Sequence, residues 1–142
     1  MNWSRRDLSL LFPALAAAAA ASAQDKKAIP GKAYRFEDLP VKESGLNKGR
    51  AVFDGVTHSG YPVELHMTSL AAGQMPHPPH RHPNEEVMLV RSGLLDATCD
   101  GETTRLTPGS VIYMPSMSLH GLKNPGPEVA EYFVIALGDK RA

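Results

Sequence analysis

Short apolar runs separated by turn-forming residues fill the sequence from Lys32 onward. Residues 87–91, 94–99, 110–114 and 129–137 are rich in apolar and β-branched side chains, and Gly, Pro, Asp or Asn lies between them. No window has the sustained periodicity of an amphipathic helix. The turns recur about every eight to twelve residues, which is the spacing of a β-sandwich or barrel. The sequence therefore predicts an all-β domain.

One strand and one turn are especially clear. Apolar and polar side chains alternate between positions 63 and 68, with Val63, Leu65 and Met67 against Glu64, His66 and Thr68. This alternation predicts a strand with one buried face and one wetter face. Asp100-Gly101 favours a type I′ hairpin turn, because both central residues of that turn need positive φ.

Residues 1–23 have the pattern of an export signal. A charged stretch containing Arg5 and Arg6 precedes about fourteen apolar residues, and Ala21-Ser22-Ala23 is an A-x-A cleavage site. A membrane-spanning helix needs roughly twenty apolar residues, so we expect cleavage after Ala23 and no stable membrane span. The two arginines resemble a bacterial twin-arginine signal, and an ordinary secretory signal is the alternative. Both predict a periplasmic or extracellular protein.

The rest of the chain is expected to be a polar leader, residues 24–31, followed by a single domain, residues 32–142. Fifteen Lys and Arg side chains balance fifteen Asp and Glu side chains. This balance argues against a nucleic-acid partner, which usually needs a basic excess. The chain has one cysteine, Cys99, so an intramolecular disulfide is excluded.

Three histidines and two carboxylates lie between positions 77 and 86. On an extended strand, His80 and His82 would present their imidazoles on one side, about 6–7 Å apart. Nitrogen ligands with a nearby carboxylate suit a divalent transition metal. Glu86 begins an apolar run, where a carboxylate is costly unless it is paired or coordinated. His120, past a turn that contains Pro115, could be a fourth ligand.

These residues resemble the two motifs of the cupin family, G-x5-H-x-H-x3,4-E-x6-G and G-x5-P-x-G-x2-H-x3-N. The matching positions are Gly73, His80, His82, Glu86 and Gly93 in the first motif, and Gly109, Pro115, His120 and Asn124 in the second. Gly73 lies one residue farther from His80 than in the motif, which a longer loop would absorb. Met117 stands where the second motif has glycine, so that turn must accommodate a side chain.

The resemblance implies a double-stranded β-helix (jelly-roll) barrel that holds one metal ion on His80, His82, Glu86 and His120. Cupins use iron, manganese, nickel, copper, cobalt or zinc. Their activities include dioxygenases, isomerases, decarboxylases and simple binding proteins. One hypothesis is therefore a metal-dependent oxidoreductase, such as a dioxygenase, acting on a small organic substrate, with Glu86 also able to exchange a proton. The alternative is a non-catalytic protein that binds a metal or a small ligand.

Two further expectations concern the metal and the assembly. Nitrogen and oxygen sites bind copper more tightly than manganese or iron. A protein that folds before twin-arginine export would take up its metal in the cytoplasm, before it meets the metals outside the cell. We therefore expect manganese or iron. Small single-domain cupins often resemble one half of a dimer, and an exposed strand edge makes a homodimer physically reasonable.

Three histidines remain outside the predicted ligand set. His77 lies between prolines and is expected in a solvent-exposed loop; the alternatives are a supporting role beside the metal or an alternative ligand. His58 and His66 have no spacing partner, so we expect them to be exposed or satisfied by other groups.

Overall fold

The computed structural model describes residues 27–139, which contain nine strands and one short 3₁₀ helix, Phe36–Asp38. In chain order the strands are β1 (Val41–Ser44), β2 (Asn47–Val56), β3 (Pro62–Leu70), β4 (Glu85–Ser92), β5 (Leu95–Cys99), β6 (Glu102–Leu106), β7 (Val111–Met114), β8 (His120–Lys123) and β9 (Ala130–Leu137). The predicted signal, residues 1–23, lies outside the described residues. Within residues 27–139, no helix has both the length and the apolar character that crossing a membrane requires.

The strands form two antiparallel sheets that face each other. The larger sheet has the order β1-β2-β3-β9-β4-β7, and the smaller one has the order β6-β5-β8. Both sheets contribute buried side chains to one core, including Val90, Leu95, Leu106, Met114 and Leu122. This arrangement is a jelly-roll barrel, which confirms the predicted fold class.

The strands predicted from apolar runs are confirmed, with small shifts of their ends. β4, β5, β7 and β9 occupy the four predicted segments. Asp100 and Gly101 have φ values of 46° and 93° between β5 and β6, as the two central positions of a type I′ turn require.

The alternation predicted in β3 is confirmed, but its wetter face turns into the barrel. His66 and Thr68 line an internal cavity together with Tyr132. Met67, on the outer face, is only 1% exposed and contacts the Arg91 guanidinium, which also lies over the Phe36 ring. Segment 27–38 thus covers part of the outer face, which explains why that side of β3 is apolar.

The N-terminal end of the described chain pairs with β2. The Ile29 N–H donates to the Val56 carbonyl at 2.9 Å, and the Val56 N–H donates to the Lys27 carbonyl at 3.1 Å. A Cβ at Gly55 would come within 2.4 Å of the Lys27 carbonyl oxygen, so this close approach requires glycine. Part of the predicted leader therefore packs on the barrel.

Candidate metal centre

Three histidine rings from two parts of the chain converge at one end of the barrel. His80 and His82 lie in the loop between β3 and β4, and His120 is the first residue of β8. His80 and His120 exchange two backbone hydrogen bonds of 3.0 Å, which hold their rings side by side. The metal-ligating atoms of the three residues all lie within 4.8 Å of one another. His80 and His82 do not lie in a regular strand as expected, because the chain bends through Pro83 before β4 begins.

The Glu86 carboxylate lies against two of these rings. Its Oε1 is 3.4 Å from His82 Nε2, and its Oε2 is 3.5 Å from His120 Nε2. The carboxylate side chain is only 14% exposed. The fold thus brings together all four side chains that the sequence singled out, although His120 is distant from the others along the chain.

Backbone carbonyls fix the orientation of two imidazoles. His82 Nδ1 donates to the Asn84 carbonyl at 2.8 Å, and His120 Nδ1 donates to the Ser118 carbonyl at 3.0 Å. With Nδ1 protonated, Nε2 of each ring carries the lone pair that a metal needs. The sequence does not indicate these acceptors, because any residue type supplies a backbone carbonyl.

The buried polar atoms of this cluster fit a metal ion. His80 Nδ1, His82 Nε2 and His120 Nε2 are buried and have no hydrogen-bond partner among the described residues. A buried polar atom without a partner costs about 1–3 kcal/mol, and one divalent cation would satisfy all three. Burial lowers the pKa of His80, and the neighbouring His77, His120 and His82 lower it further. The neutral imidazole favoured in this way is the form that binds metals.

A family model described as "Cupin domain" matches residues 66–136, half of the 142-residue chain. The chain belongs to this cupin family. Among solved structures, KdgF from Halomonas sp. superimposes with a TM-score of 0.65 at 16% identity, covering 80% of this chain and 96% of that one. An RmlC-like cupin from Shewanella frigidimarina gives a TM-score of 0.64 at 19% identity, covering 78% and 94%.

The polyketide cyclase RemF from Streptomyces resistomycificus is similar as well, with a TM-score of 0.65 at 17% identity, covering 80% of this chain and 83% of that one. At these identities the likeness establishes the fold alone. The search of curated proteins returned no match to this cupin.

A cavity of about 190 Å³ adjoins the histidine cluster of this cupin. Polar side chains on its wall are His66, Thr68, His77, Glu86, His120 and Tyr132. His77 is exposed, as expected for a loop histidine, but its ring also lies 4.2 Å from that of His80. His58 is exposed in the turn between β2 and β3.

His66 is the residue whose position the sequence did not indicate. Its Nδ1 lies 3.1 Å from Glu64 Oε1. This hydrogen bond agrees with the expectation that another group satisfies His66. Its ring also lines the cavity. The alternation of β3 placed His66 and Glu64 on one face, but it did not indicate that this face turns inward.

The departure from the second cupin motif falls on a left-handed residue. Met117 has φ 62°, a conformation that glycine adopts without strain. Its N–H donates to the His82 carbonyl at 2.9 Å, and the Arg81 guanidinium donates to its carbonyl oxygen. The turn therefore keeps the backbone that the motif glycine would adopt, and Met117 adopts it despite its side chain.

The last residue of the second motif holds the histidine-bearing loop in place. Asn124 is fully buried, and its Nδ2 donates to the carbonyls of Leu70 at 2.9 Å and Glu128 at 2.7 Å. Its carbonyl accepts from the Gly73 N–H at 3.0 Å. Asn124 thus joins the end of β3, the start of the loop that carries His80, and the segment that leads into β9.

Proposed function

We propose that this cupin binds one divalent transition metal through His80, His82, Glu86 and His120. The observation that carries the proposal is the set of three buried, unpartnered imidazole nitrogens next to one carboxylate. A bound ion would act as a Lewis acid and as a template that orients substrate oxygens. The protein contributes three imidazoles, two of them oriented by backbone carbonyls, and one carboxylate that would offset the charge of the ion.

We further propose that the site serves a metal-dependent oxidoreductase, with a dioxygenase as the leading form, acting on a small organic molecule. A cavity of about 150 Å³ is known to hold one benzene molecule. The cavity of about 190 Å³ found here therefore has room for one substituted ring. Its wall combines apolar side chains, such as Met88 and Val134, with the polar groups described above, as ligand sites commonly do. Glu86 borders both the cavity and the rings, so it can exchange a proton with a bound molecule.

Calorimetric titration of metal-free protein with Mn²⁺, Fe²⁺, Co²⁺, Ni²⁺, Cu²⁺ and Zn²⁺ tests the metal site. We expect one ion per chain. The paired substitution His82→Ala and His120→Ala should abolish that uptake, whereas the exposed His58→Ala serves as the matched control and should leave it unchanged. Equal uptake by the paired variant and the unaltered protein would overturn the site.

Oxygen uptake by the metal-loaded protein tests the reaction class. The panel comprises catechols, flavonols, thiols and keto acids, with the His82→Ala/His120→Ala variant as the background control. Consumption of oxygen with one class supports an oxygenase. Silence across the whole panel in a protein that binds its metal favours the alternative, a non-catalytic binding protein.

We also propose that the protein is exported and forms a homodimer. Export is supported by the sequence pattern of residues 1–23. Dimerisation is supported by an apolar surface on β4 and the edge strand β7, where Leu89, Val111 and Tyr113 are 40%, 59% and 50% exposed. Such a surface at an unpaired strand edge suits association with a second copy. Mass spectrometry of exported protein tests cleavage after Ala23, and size-exclusion chromatography with light scattering tests the dimer.

A further inference from the structure

Polar side chains that the metal proposal does not use lie on the cavity wall formed by β3 and β9. His66 is paired with Val134 of β9, and Val134 is paired with Met88 of β4. Paired residues of adjacent strands project from the same face of a sheet. His66 therefore lies on the same inner face as Met88 of β4. The two residues are two strand spacings apart, which is roughly 10 Å between their backbones.

Glu64 holds the His66 ring in one orientation. The two residues are separated by one position on β3 and thus share a face, and the Nδ1 to Oε1 distance is 3.1 Å. The side chains are 32% and 22% exposed, so both are largely shielded from solvent. With Nδ1 bound to the carboxylate, Nε2 is the ring nitrogen left for a molecule in the cavity.

The other non-ligand groups of the wall are less suited to accept a proton. Burial raises the pKa of Tyr132 to about 12, so this residue stays a neutral phenol that shares a hydrogen bond with Thr68. The His77 ring lies 4.2 Å from that of His80, and its Nδ1 is 3.1 Å from the Pro78 carbonyl oxygen. The His77 ring thus lies against a proposed metal ligand, and within residues 27–139 no carboxylate orients it as Glu64 orients His66.

We propose that His66, positioned by Glu64, accepts a proton from a hydroxyl group of the substrate, a compact hydroxylated molecule of which catechol is the simplest type. The substrate O–H bond breaks, the proton bonds to His66 Nε2, and the electron pair stays on the substrate oxygen. This inference rests on the proposed function, because it places the substrate between His66 and the metal ligands. The titratable groups that face the same cavity as His66 are Tyr132 on β9, Glu86 on β4, His120 on β8 and His77 in the loop, and Asp54 on β2 is paired with Glu64.

The test measures binding of 4-nitrocatechol, whose visible spectrum changes when a hydroxyl ionises. Protein loaded with Mn²⁺ is titrated with this probe at several pH values. We expect the unaltered protein to bind the probe in an ionised form. His66→Gln should weaken binding about tenfold, as expected for one lost hydrogen bond to a charged group. The bound probe should then ionise only at a pH about one unit higher.

Three companion variants separate the role of His66 from a loss of structure. Glu64→Gln keeps a hydrogen-bonding group but loses the charge, and it should weaken binding by about threefold, less than His66→Gln. His66→Asn should behave like His66→Gln. The exposed His58→Gln is the matched control and should bind the probe like the unaltered protein. All variants should take up Mn²⁺ with unchanged affinity in calorimetry, which a misfolded barrel could not do.

Each result supports or overturns one identified claim. Equal affinity and an equal spectrum for His66→Gln and the unaltered protein overturn the role of His66. Failure of the unaltered, metal-loaded protein to bind 4-nitrocatechol overturns the substrate class. Absence of Mn²⁺ uptake counts against the proposed metal site instead. In that case, titrations with 4-nitrocatechol in EDTA compare the affinity of His66→Gln for the probe with that of the unaltered protein.

Discussion

Replacing Met117 with glycine should stabilise the barrel. The left-handed backbone of a non-glycine residue costs about 1–2 kcal/mol, and Met117 has φ 62°. Glycine removes that strain but adds about 0.4–1 kcal/mol of conformational freedom to the unfolded chain. Met117 is 53% exposed as a residue, so little packing is lost. The net expectation is a gain of about 0.5–1 kcal/mol in the free energy of unfolding, or roughly 2–5 °C in Tm.

Urea unfolding followed by circular dichroism, in EDTA, measures this change without a contribution from metal binding. Gly109→Ala is the matched control, because Gly109 has φ 87° and no atom lies within 4 Å of an added Cβ. That substitution introduces the same kind of strain without a clash, and it should cost about 1 kcal/mol. A Met117→Gly protein that is less stable than the unaltered one would refute the reasoning, since Met117 would then stabilise the turn through contacts of its side chain.

Asn124→Ala removes the donor to the buried Leu70 carbonyl and to the partly buried Glu128 carbonyl, and it should cost about 2–5 kcal/mol in urea unfolding; a loss under 1 kcal/mol would contradict that role. The pKa of His80 is lower in the folded protein than the ordinary 6.5, so below pH 6.5 the unfolded chain binds more protons. Metal-free protein should therefore lose stability as the pH falls from 7 to 5, and His80→Gln should weaken this dependence. Elemental analysis of protein exported with its own signal should show chiefly manganese or iron, and chiefly copper or zinc would contradict folding before export. Val111→Glu should shift the mass in light scattering from two chains to one, whereas the exposed Thr103→Glu should not.

The sequence predicted the strands and the histidine cluster because each depends on local spacing. Alternation along β3 and the Asp100-Gly101 pair reflect backbone geometry that a few residues determine. His80, His82 and Glu86 are close in sequence, and His120 was found through a motif that fixes its distance from a proline. These patterns can be recognised in the sequence without the tertiary structure.

Which face of β3 points into the barrel could not be predicted. Alternation shows that the two faces differ, but it does not show which one turns inward. An interior is usually apolar, so the apolar face of β3 was expected to be the buried one. Here the barrel contains a cavity that accepts His66 and Thr68, and Met67 is buried on the outside instead. The roles of the Asn84 and Ser118 carbonyls as hydrogen-bond acceptors could not be predicted either, because they are backbone groups that every residue type carries.

The pairing of Lys27 and Ile29 with β2 has a consequence for maturation of the protein. If the signal is cut after Ala23, only Gln24, Asp25 and Lys26 separate the new terminus from Lys27, the first residue that the structure describes and one that hydrogen-bonds to the barrel. A peptidase that cut six residues farther along, after Ile29, would remove both hydrogen bonds and leave Gly55 without the Lys27 carbonyl that it accommodates. If the chain is processed in this way, the hydrogen bonds of Lys27 and Ile29 to β2 therefore limit how far downstream a cut can fall without loss of barrel contacts.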